Sequence, residues 1–89
     1  MTQANVDPEQ LRQFAGSLHR FAQQLRTEGM ALASQMNTLE QTWRDQQQRR
    51  FADQLQTDLR SVAKIVADAE QHVPYLLRKA DQIDAYLGR

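Results

Sequence analysis

Apolar residues recur along this chain at intervals of three and four in two long runs. In the first run, Leu11, Phe14, Leu18, Phe21, Leu25, Leu32 and Leu39 share one face of a helix. A second series at seven-residue spacing, Ala15, Ala22, Gly29, Met36 and Trp43, lies beside it. Its small members would let another helix approach closely, and the combined stripe is wide enough for two neighbours. The other run, Phe51, Leu55, Leu59, Val62, Val66, Ala69, Val73, Leu76, Ala80, Ile83 and Leu87, keeps its rhythm for five heptads. Glu28 and Gln35 interrupt the first stripe where Leu or Phe is expected. Either the stripe drifts and leaves both half-exposed, or they fix register against a partner helix.

The ends of these runs carry their own signals. Asp7, Pro8, Glu9 and Gln10 supply a cap, a first-turn proline, an early negative charge and a capping-box-like amide. Between Trp43 and Phe51 nothing apolar appears, and Asp45 suits the cap of a second helix. The expected organisation is one all-α domain over residues 1–89. It consists of a helix at about 8–43, a turn at about 44–46 and a helix at about 47–87. A single continuous helix is the rival reading, and it would be a free-standing rod about 110 Å long. Pro74 removes a backbone donor inside the second helix. The apolar phase survives it, so a kink rather than a break is expected, with a looser segment beyond. Gly88 offers a C-terminal stop.

At 89 residues the chain is short. A compact chain of this size buries only about 60–65% of its unfolded surface, and a two-helix hairpin buries less. The antiparallel hairpin is therefore expected to dimerise into a four-helix bundle, with Leu18, Phe21, Leu25, Leu32, Leu59, Val62 and Val66 in the core and interface. Eleven basic and eleven acidic residues balance. Arg44, Arg49 and Arg50 are interrupted by Asp45, which makes them solvated turn charge rather than a phosphate-binding stripe. The run Gln46–Gln48 reads as a polar helix face.

Little in the sequence suggests reaction chemistry. There is no cysteine, and His19 and His72 stand without metal-ligand spacing. Phosphate-loop and nucleophile-elbow motifs are absent. No catalytic residue, metal or cofactor is expected, and no nucleic-acid partner. The N-terminal residues lack the pattern of a cleavable secretory signal, and no apolar run approaches the roughly 20 residues of a membrane span.

Trp43, Asp45 and Phe51 together resemble the turn of the Trp-X-Gly (WXG) superfamily of ESAT-like proteins. These are helical hairpins of type VII (Esx-type) secretion systems. The resemblance extends to chain length, helix count and a Trp near mid-chain. It implies a leaderless secreted substrate, or the dimeric partner of an effector, held in the cytoplasm before export. It also implies a homodimer or heterodimer with a related hairpin, and a secretion ATPase or toxin as a further partner. Asp45 stands where the family has Gly. The Tyr-x-x-x-Asp/Glu export pattern is also missing, since Tyr75 is followed four residues later by Lys79. Trp43 could cap the hairpin core or dock a partner. A polymerising needle-like subunit and an intracellular chaperone or adaptor of a toxin are the alternatives.

Overall fold

A computed structural model describes residues 6–88. Two helices pack antiparallel: α1 (Pro8–Leu39) and α2 (Gln46–Tyr86). The principal extents are 64 × 24 × 14 Å. A helix with its side chains is about 10–12 Å across, so the hairpin is one helix thick.

α1 begins as its sequence dictates. Asp7 is extended and accepts a hydrogen bond from the Glu9 N–H at 2.9 Å, while Pro8 occupies the first turn, where no donor is missed. At its other end the expectation needs correction. α1 stops at Leu39 rather than near Trp43, and the connection covers 40–45. The Gln41 and Thr42 N–H groups turn back to the carbonyls of Thr38 and Leu39, at 3.1 and 3.2 Å, and the Trp43 N–H also reaches Leu39. The Arg44 Nε takes the Glu40 carbonyl at 3.0 Å. Local donors thus satisfy the last carbonyls without a glycine.

Asp45 then caps α2. Its carboxylate accepts from the Gln48 N–H at 2.9 Å with φ −84° and ψ −177°. Among the described residues only Gly88 has positive φ, at 75°. The turn is therefore built wholly from conformations open to any L-residue. α2 runs through Pro74 without interruption.

The seam is lined by small residues from α1. Ala15 and Ala22 are completely buried and Met36 nearly so. Ala22 joins Val66 and Ala69 in the core cluster, with Leu18, Leu25 and Val62 packed against it. Gly29 lies level with Leu59 and Val62, close enough that a Cβ there would meet both at 4.0 and 3.9 Å. Gln48, read from sequence as part of a polar face, is buried instead. Its amide donates to the Glu40 carboxylate at 3.2 Å, which joins the two helices beside the turn.

Candidate interaction surface

Packing the alanine row inward splits the remaining side chains between two unlike faces. On one side, Arg12 and Arg26 reach across the seam. Arg12 binds Asp81 at 2.8 Å and Asp84 at 2.5 Å, as well as Glu9 on its own helix at 2.6 Å. Hydrogen bonds to Asp81, then Asp84 and Glu9, raise the Arg12 pKa above its ordinary value, so it stays charged at any working pH. Arg26 binds Glu70 at 2.6 Å, and Gln23 approaches the same carboxylate. A shallow groove of about 310 Å³ lies on this side among Arg26, Met30, Ala33, Leu59 and Ala63, open to solvent.

The opposite face carries the phenylalanine row, which in seven-residue register borders the alanine row on its other edge. Phe14 is 58% exposed and Phe21 52%, and Leu32, Leu39, Phe51 and Ile65 are comparably open. These residues line one face at intervals along the length of the hairpin, with polar side chains between them. Single exposed apolar residues are ordinary, but this many large ones on one face mark a contact surface.

The residues expected at the core and interface therefore separate. Val66 is buried in the hairpin's own seam, with Leu18, Leu25, Leu59 and Val62 half-buried along it, whereas Phe21 and Leu32 face outward. At the tip, Trp43 is half-buried with its ring 6.0 Å from that of Phe51, and Asp45, between them in the chain, caps α2. Beside them the Glu40 carboxylate accepts from Gln48, and the Asp45 carboxylate is engaged as the helix cap.

Among the described residues no group of three or more His, Cys, Asp and Glu is placed to hold a metal, and no helix is long and apolar enough to cross a membrane. Both histidines are exposed. With this geometry, the match to known families becomes specific: residues 3–85 fit WXG100, described as proteins of 100 residues with WXG. The chain belongs to the WXG100 family. It is thus an ESAT-like, secretion-associated small protein. No curated protein and no solved structure matches it. Within the matched span lie Trp43, with its ring tilted against that of Phe51, and Asp45, the cap of α2.

Proposed function

We propose that this WXG100 protein acts through protein–protein contact, as a substrate of a type VII-type secretion system or as the dimeric carrier of an effector. The observation that carries this reading is the exposed row of Phe14, Phe21, Leu32 and Leu39 on a hairpin only 14 Å thick. One helical layer cannot cover both edges of a stripe this wide. A related hairpin laid on the row completes a four-helix bundle, buries the phenylalanines and gives the pair a folded form for export. Before export the pair resides in the cytoplasm.

Export supplies the test. In a host carrying the secretion system, removal of its ATPase should leave the protein inside the cell. Phe21→Asp should lose partner binding and export together while the hairpin itself still folds. Undiminished protein in the medium without the ATPase would overturn the secretion assignment. Undiminished partner binding by Phe21→Asp would overturn the contact surface.

A further inference from the structure

The open strip is not apolar throughout. Its outer row on α1 runs Phe14, Phe21, Glu28, Gln35, and the matching row on α2 runs Phe51, Asp58, Ile65, His72. Glu28 and Asp58 are both exposed. Because Gly29 lies level with Leu59 and Val62, Glu28 sits at the height of that stretch of α2, with Asp58 about one turn away. The two carboxylates share the middle of the strip, and phenylalanines lie beyond them toward both ends. Neither takes part in an ion pair among the described residues, and Asp58 accepts one hydrogen bond, from Gln54 at 3.1 Å.

Resting on the reading that another hairpin covers this strip, we propose that the partner is a different chain whose own strip carries lysine or arginine at mid-length. Glu28 and Asp58 are then the residues that reject a second copy. Two identical hairpins meeting face to face are related by a two-fold axis. If the axis runs along the hairpin, α1 lies on the second copy's α2, and Glu28 falls beside the second copy's Asp58. If it crosses the hairpin midway between Phe14 and Leu39, α1 lies on α1, and the two Glu28 positions come within ~5 Å of each other along the helices. Both arrangements gather carboxylates in a region that apolar neighbours shield from water, where like charges are strongly disfavoured.

The basic groups near the strip do not relieve this. Lys64, six residues from Asp58, pairs with Asp68 on its own helix at 3.0 Å, and Arg50, His72 and Lys79 are eight, fourteen and twenty-one residues along α2 from Asp58, or ~12, ~21 and ~32 Å. Sliding one copy far enough to bring them to the carboxylates would uncover one end of the phenylalanine row. A partner with a basic centre turns the same two carboxylates into a register-setting attraction, so one feature both selects and excludes.

The test uses the full chain in three forms: native, Glu28→Gln/Asp58→Asn, and Glu28→Lys/Asp58→Lys. Circular dichroism confirms the fold of each, and Glu28→Lys alone serves if the double reversal unfolds. Sedimentation at micromolar concentration and neutral pH should show the native and reversed forms each monomeric. The neutral form should self-associate at least about tenfold more tightly than native, and native mixed with reversed should give a one-to-one complex. A native chain that self-associates as tightly as the neutral form overturns the proposal. If Phe21→Asp abolishes that association, the strip remains the pairing face and only the selectivity claim fails. If neither the neutral form nor the mixture associates, the strip is not a pairing face and both readings fall.

Discussion

Asp45 shows how a single side chain can replace a backbone conformation. The turn needs no left-handed residue, so a glycine there offers no conformational advantage, while the carboxylate satisfies the Gln48 N–H. Asp45→Ala should lower stability by about 0.5–2 kcal/mol, and Asp45→Gly by less, because glycine is itself tolerated at helix caps. Urea denaturation reads both; an Asp45→Ala chain as stable as the native one would show that the side-chain bond contributes nothing. Gly29 poses the converse case. A Cβ there would meet Val62 and Leu59 at ordinary van der Waals distance, so the gain in helix propensity should go unopposed. Gly29→Ala is expected to stabilise the hairpin by about 0.5–1 kcal/mol. Destabilisation in the same urea experiment would mean the helices approach more closely at this level.

At the scale of elements, the two helices and their seam were legible because three-and-four spacing is a direct image of helix geometry. The cap at Asp45 was legible for the same kind of reason, since capping is a local preference. The end of α1 was not. Its carbonyls are satisfied by Thr42, Trp43 and Arg44 donors, which follow no periodic pattern, so the apolar series through Trp43 suggested four more helical residues than form. Gln48 was also missed, although it lies four residues before Ala52 and seven before Leu55 in the seam of α2. Its polarity hid a buried position that Glu40 makes tolerable. The division into a charged face and a phenylalanine face depends on interhelical register, which a single sequence does not encode visibly.

The segment beyond Pro74 is where register matters most. A proline breaks one backbone bond there and predicts a loose end, yet Ala80 is fully buried and Arg12 grips both Asp81 and Asp84. These contacts should hold the last turns of α2 against α1. In Arg12→Ala, amide exchange across residues 76–86 should accelerate while residues 55–70 keep their protection. Unchanged protection of 76–86 would show that the apolar seam alone suffices.

For the whole molecule, the radius of gyration of 19.9 Å compares with about 12 Å for a compact chain of this length. Such a shape leaves little interior to draw stability from, and a partner that binds only the folded hairpin should add to it by mass action. At a partner concentration one hundred times its Kd the gain is about 2.7 kcal/mol. The thermal midpoint should therefore climb as partner is titrated in, and a midpoint that stays fixed would mean the partner does not select the folded state.

Trp43 is the one tryptophan of the chain, and it sits at the tip with its ring beside Phe51. That placement makes the protein its own optical reporter. Opening of the hairpin moves the indole into water, which should shift its emission to the red. A hairpin laid on the strip as far as Phe51 dehydrates the same ring and should shift it to the blue. Folding and docking thus drive one intrinsic signal in opposite directions, and a single unlabelled titration can tell them apart.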